Sequence, residues 1–179
     1  IPIPLDKSFA VNLIDEGLIL KQISLAKEQS PDLICASMHW GIEYQLKQNS
    51  EQEKLKDLLF NNGVDIILGS HPHVLQPMEK QTITLEDGST KDCFVIYSLG
   101  NFMSGQTKEN TRDSIILNID IMKSGESGQT KINKVEYVPI YMYKSSGANI
   151  HKYKVLDIEK AIMNFENGQD KSIGKATYT

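Results

Sequence analysis

An α/β fold is what the sequence predicts, and three observations carry the prediction. Short apolar runs within residues 32–41 (DLICASMHWG), 64–73 (VDIILGSHPH) and 93–101 (CFVIYSLGN) each end at once in polar, glycine-containing punctuation. Apolar residues on consecutive positions suit strands buried on both faces of a sheet. Before the first run and between the first two, apolar residues recur at helical spacing, which gives the helix–strand–helix–strand order of a βαβ fold. Beyond residue 80 the pattern turns to hairpins, an antiparallel extension of the same unit.

Taken in order, Leu18, Ile19, Gln22, Ile23 and Ala26 form the core stripe of a first helix, with Asp15 as its cap and Pro31 as its stop. A strand follows within residues 32–41. Leu55, Leu58 and Leu59 form a second helical stripe ending at Asn61, Asn62 and Gly63, a sequence suited to a left-handed C-terminal cap. Residues 64–68 read as a buried strand that breaks at Gly69. Residues 81–85 and 90–97 flank Asp87-Gly88 as a hairpin with a tight turn. Residues 114–122 and 131–143 make a second hairpin, in which Ile115, Leu117, Ile119 and Ile121 alternate with outward-facing neighbours. Residues 144–149 read as a small-residue loop, and from Leu156 a short helix capped by Asp157 leads to a polar tail after Asn167. There is no internal repeat and no low-complexity tract.

The 179 residues suffice for one domain with a real core. A net charge of −4, with Arg112 the sole arginine and no basic stripe, argues against nucleic acid as a partner. No apolar run approaches the ~20 residues of a membrane span. The chain begins at Ile1 rather than methionine, as a piece of a longer protein would. Cys35 and Cys93 match neither a disulfide framework nor a zinc motif, and Cys35, inside an apolar run, is expected to be a buried small hydrophobe.

Chemistry gathers at the strand ends, where open α/β folds place their reactive groups. His39 follows the first strand, His71 and His73 the second, and Asn101 the third. Proline restricts the residue before it to extended backbone and fixes its own φ, so His71-Pro72-His73 should aim two imidazoles to one side. Neutral imidazoles bind divalent transition metals, and three preset ones lower the entropic cost. His39, His71 and His73 are therefore the expected ligands, whereas His151 reads as a solvated or hydrogen-bonded residue. A two-metal hydrolytic centre also needs carboxylates. Glu43 and Glu79 are the nearby acids, neither at a strand end, and Asp65 sits at the opposite end of its strand, in a structural position.

Residues 38–44 (MHWGIEY), 63–74 (GVDIILGSHPHV) and 95–102 (VIYSLGNF) resemble three motifs of the bacterial capsule-synthesis CapA proteins, also called the poly-γ-glutamate biosynthesis (PgsA-type) family. The resemblance holds in order and spacing from about Asn12 to Asp157, and residues 139–143 (PIYMY) look like the family's closing strand. It implies a calcineurin-like metallophosphoesterase fold, a four-layer αββα sandwich of which this chain is the C-terminal portion, residues 1–157, followed by a helix and tail at 158–179. The family's earlier acidic and Asn-Asn-His motifs are not found in this sequence, and Asn61-Asn62 is followed by glycine rather than histidine.

Carried over by resemblance, His39, His71 and His73 are metal ligands and catalytic residues for divalent ions (Mn, Zn or Fe), two in the complete domain. Asn101 would line the pocket and donate to a phosphate or carboxylate oxygen. Trp40 would be a ligand-facing wall or a packing residue, and Glu43 with Tyr44 would orient His39 or meet substrate. The implied function is poly-γ-glutamate capsule biosynthesis with a metal-dependent phosphoesterase-like site. The alternative is a non-catalytic binding or assembly component of a surface export complex. Implied partners are an anionic polymer or phosphoester, a missing N-terminal half or second copy, and other capsule-synthesis membrane proteins. The implied location is extracytoplasmic and membrane-anchored.

Overall fold

The computed structural model describes residues 11–85, 88–146 and 151–168. Helix α1 spans Glu16–Glu28, and the Asp15 carboxylate caps it by accepting the Leu18 N–H at 2.7 Å. Of the stripe read from the sequence, Ile23 is buried and Ile19 packs beside it, while Leu18 stays exposed. Strand β1 follows at Cys35–His39, then helix α2 at Ser50–Asn61. A reciprocal capping box starts α2: Asn49 accepts the Gln52 N–H, and the Gln52 side chain accepts the Asn49 N–H.

The end of α2 explains where β2 begins. Gly63, at φ +110°, lets the Gly63 N–H reach Phe60 O at 3.1 Å and the Val64 N–H reach Leu59 O at 3.0 Å. Val64 is thus part of the helix stop, and β2 is Ile66–Ser70, two residues later than its apolar run suggests. Strands β3 (Met78–Thr84) and β4 (Thr90–Ile96) form the expected hairpin; Asp87 of its turn lies outside the described residues. The second hairpin is β5 (Asp113–Lys123) and β6 (Thr130–Ser146). Strand β7 (His151–Asp157) was not anticipated. Residues 144–146 of the expected loop belong to β6, and 147–149 lie outside the described residues, as do the His151 side chain and the tail beyond residue 168. Asp157 caps α3 (Ile158–Glu166), accepting the Lys160 N–H at 3.1 Å.

Two sheets result. The first has the order β1-β2-β4-β3, with β1, β2 and β4 parallel and β3 antiparallel; the second is antiparallel β5-β6-β7. Side chains alternate along the central strands. Ile67, Val95 and Tyr97 face α1 and α2 with Leu59 and Phe60, while Ile66, Phe94 and Ile96 face Ile115 and Ile132 of the second sheet. Each fully buried aliphatic or aromatic side chain contributes about 1.5–3 kcal/mol. Helices α1 and α2 thus cover one face of the first sheet and the second sheet packs on the other, with α3 touching β6 and β7, as in part of the expected sandwich.

Among the described residues β1 has a strand neighbour on one side only, and β5 likewise. The second sheet stops short of β1, so Cys35, Ser37 and His39, on the face turned toward it, are exposed. Cys35 is therefore not the buried residue its apolar run suggests; Cys93, on a central strand, is the buried thiol. Alongside runs an apolar groove of about 570 Å³ lined by Leu68, Leu99, Phe102, Ile115 and Leu117.

Candidate metal centre

His39 ends β1 and pairs in register with Ser70, which ends β2. The Ser70 hydroxyl donates to Met38 O at 3.1 Å and lies 3.4 Å from His39 Nδ1. With its proton committed to a carbonyl, that hydroxyl offers His39 only an acceptor, which favours the proton on Nδ1 and leaves Nε2 bare. Partial desolvation, then the charges His71 and His73 can carry, lower the His39 pKa and favour the neutral ring a metal requires.

Past Ser70 the chain does not take the extended path expected of His-Pro-His. His71 sits at φ +101° and His73 at φ +61°, so strand alternation does not aim these rings. A cross-linked loop does. The Tyr44 N–H donates to Pro72 O at 2.8 Å and the Asn101 amide donates to His73 O at 3.2 Å, holding the loop from two sides. The rings still converge, with centroids 4.6 Å apart for His39–His71 and 6.1 Å for His71–His73. Tyr44 is also left-handed, at φ +67°. Such conformations cost of order 1–3 kcal/mol each and persist where surrounding contacts enforce them.

The loop after β1 delivers the carboxylate that strand ends alone do not. The Trp40 N–H donates to Ser70 O at 3.1 Å, but its side chain turns to the helix side, 2% exposed. There its Nε1–H donates to Tyr97 O at 2.8 Å and its ring stacks on Tyr97. Trp40 is thus a core residue and no wall of the site. Buried Gln76 holds the loop's far end, its amide donating to Gln45 O at 2.8 Å and Lys47 O at 3.1 Å while its Oε1 accepts from buried Gln52. Between these anchors Glu43 reaches over the histidine loop, its Oε1 4.0 Å from His73 Nε2. One ligand atom each from Glu43, His71 and His73 fall within 4.8 Å of one another. Glu43 therefore joins His71 and His73 and does not orient His39, whose side-chain partner is Ser70. Asp65 and Glu79 are structural: Asp65 accepts the Ile34 N–H and pairs with Lys91, and Glu79 accepts the Tyr97 hydroxyl.

Asn101 does not offer its amide to a ligand. Its Nδ2 donates to His73 O, Gln106 Oε1 and Thr111 O at 3.0–3.2 Å. Because two of these are carbonyls that only accept, Oδ1 is the atom left facing His73 Nδ1 at 2.9 Å. That contact requires a proton on Nδ1 and leaves His73 Nε2 bare toward Glu43. Tyr44, expected to orient His39, meets His73 instead: its ring stacks with His73 at 6.2 Å, and Lys108 Nζ sits 3.7 Å from its ring centroid. Burial first, then the Glu43 charge, raise the Tyr44 pKa and keep it a phenol. Gln76, Gln106, Thr111 and Lys108 went unnoticed in the sequence, where nothing local marks them.

Bare imidazole nitrogens beside a carboxylate suit a divalent first-row transition ion. Among the described residues, Glu43, His71 and His73 are the histidine, cysteine or acidic side chains whose ligand atoms gather within 4.8 Å of one another, and His39 stands beside them, its ring 4.6 Å from that of His71.

Comparison with known proteins bears on what such a rim serves. Residues 3–106 match the family described as "Bacterial capsule synthesis protein PGA_cap". The chain is 33% identical over 138 residues to the "PGA biosynthesis protein CapA" of Bacillus subtilis (strain 168), covering 77% of this chain and 32% of that protein. It is 37% identical over 115 residues to the "Capsule biosynthesis protein CapA" of Bacillus anthracis, covering 63% of this chain and 26% of the relative. The chain thus spans about a third or less of the relatives it matches.

Proposed function

Because this chain belongs to the bacterial capsule synthesis protein family, we propose that the complete protein acts at the cell surface in making, exporting or attaching poly-γ-glutamate, through a metal-dependent phosphoesterase-like site. The observation that carries this reading is the convergence of His39, at the end of β1, with His71 and His73 of the loop after β2, with ring centroids 4.6 and 6.1 Å apart for successive pairs. These imidazoles would hold divalent Mn, Zn or Fe. When bound, such an ion supplies Lewis-acid polarisation of a phosphoryl or related oxygen. The chain's own residues keep the ligand atoms bare and aimed: Ser70 for His39, Asn101 for His73. Lys108, beside Tyr44, supplies a cation at the rim for an anionic polymer or phosphoester.

The open flanks of β1 and β5, with the apolar groove between the sheets, are where strands from the rest of the protein or a second copy would add. Those strands would bring the carboxylates of a second metal. We place the working protein outside the cytoplasm, anchored to the membrane and beside other capsule-synthesis membrane proteins. No helix among the described residues is long and apolar enough to cross a membrane.

The test is His71→Ala with His73→Ala in the complete protein. Loss of polymer and of metal-dependent phosphoesterase activity is expected, with little activity in the 179-residue chain alone. Normal polymer from the double variant would defeat the metal-chemistry reading and leave the assembly role.

A further inference from the structure

We propose that Lys108 is a specificity-determining residue: it takes a carboxylate flanking the reacting bond and so sets the register of an anionic chain at the rim. The proposal rests on the reading of the complete protein as acting on poly-γ-glutamate, and deepens it by naming the group that holds the chain beside the histidines. Nothing in the sequence around Lys108 marks it. What marks it is how the fold holds it.

Thr111, fully buried, closes the turn after Lys108: its N–H and its hydroxyl both donate to Lys108 O, at 3.2 and 2.6 Å. Thr111 O in turn accepts the Asn101 amide at 3.0 Å, and Asn101 Oδ1 meets His73 Nδ1 at 2.9 Å. At the far end of the side chain, the Lys108 ammonium lies 3.7 Å from the Tyr44 ring centroid, and that ring stacks with His73 at 6.2 Å. His73, Asn101, Thr111, Lys108 and Tyr44 therefore form a closed circuit. Gln106 crosses it, accepting from Asn101 at 3.0 Å and donating to the Tyr44 hydroxyl at 3.4 Å. An exposed lysine is ordinarily a charge on a flexible stem; this one is fixed against the imidazoles at backbone and head group alike.

Its charge is uncommitted. Among the described residues Lys108 makes no ion pair, even with neighbouring Glu109, whereas Lys56, Lys80 and Lys91 each pair with a carboxylate. A cation–π contact leaves ammonium protons free to donate to an oxygen anion. Lys108 touches Tyr44 and none of His39, His71 and His73, so its charge stands beside the reacting centre rather than in it. Glu43 opposes the alternative placement: its Oε1 is 4.0 Å from His73 Nε2, where it repels an incoming carboxylate. An anionic chain thus settles with a carboxylate at Lys108 and its next bond at the imidazoles.

The experiment is calorimetric titration of the complete protein with a short γ-linked glutamate oligomer and, separately, with inorganic triphosphate, at low salt and at about 1 M salt, where charges are screened within ~3 Å. Lys108→Met should weaken the oligomer about 3–10-fold at low salt, Lys108→Arg should restore it, and the difference should vanish at high salt. Thr111 bonds the backbone of residue 108, so both variants keep the turn. Lys21→Met, at an exposed position of α1, removes the same charge and should change nothing. A wild-type protein that binds no oligomer, an affinity unchanged by Lys108→Met, an equal loss in Lys21→Met, or a loss that survives high salt overturns the assignment. Triphosphate bound through Lys108 without any glutamate binding makes it a phosphate residue and overturns it as well. The two readings fail separately. Polymer synthesis indifferent to Lys108→Met keeps the function and loses this residue; a protein without phosphoesterase activity that binds the oligomer through Lys108 keeps the residue and loses that chemistry.

Discussion

Asn101 spends both ends of its side chain on the loops around His73: Oδ1 on the ring, Nδ2 on the backbone of His73 and Thr111. Asn101→Leu removes all of these at a part-buried position, where each group left unpaired costs roughly 1–3 kcal/mol. A loss of about 2–4 kcal/mol in urea unfolding is expected, with metal affinity falling about 10–100-fold as for other outer partners. Stability within half a kcal/mol of wild type would show that the loop does not lean on this residue. His39, His71 and His73 are readable from sequence because each stands at the end of an apolar run, within two residues of glycine, proline or serine. Gln76 is not, because its work is done across 24 residues to Gln52 and 31 to Gln45, and no local pattern encodes such a pairing. Glu43 is singled out in the sequence beside His39, but its approach to His73 joins two loops far apart in the chain, which no local pattern encodes either.

Strand β2 carries a glycine whose purpose appears only at the level of packed elements. Read along the chain, Gly69 marks a strand end; in the sheet it lies inside β2, and the space above it is taken by neighbouring groups. A Cβ there would stand 2.0 Å from Tyr97 O and 2.7 Å from Trp40 Nε1. Gly69→Ala must therefore displace the Tyr97 backbone just past β4 and the indole together, at or beyond the roughly 1–3 kcal/mol of an overpacked core. A marked fall in the unfolding midpoint and a changed near-ultraviolet Trp40 signal are expected; an unchanged midpoint would refute the packing argument. Helices α1 and α2 and both hairpins were legible because caps and periodicity are local. Strand β7 was not. Its register is set by pairing with β6, Ile140 opposite Asp157 through Ser146 opposite His151, and its own residues are too polar to announce a buried run.

At the scale of the whole molecule, helices cover one face of the first sheet and the second sheet covers part of the other. The class of fold followed from the order of runs and stripes; the exposure of Cys35 did not, because it stands in an apolar run and is left bare only by where the second sheet stops. That flank has a further consequence. Among the described residues no strand pairs with the outer flank of β1, and β1 itself carries neither lysine nor proline to ward one off. In concentrated solution, copies of this chain should zip together there, raising the sedimenting mass with concentration. Ser37→Lys, which plants a positive charge on that margin, should return the protein to single molecules; a chain already monomeric at every concentration would mean the bare margin is not adhesive.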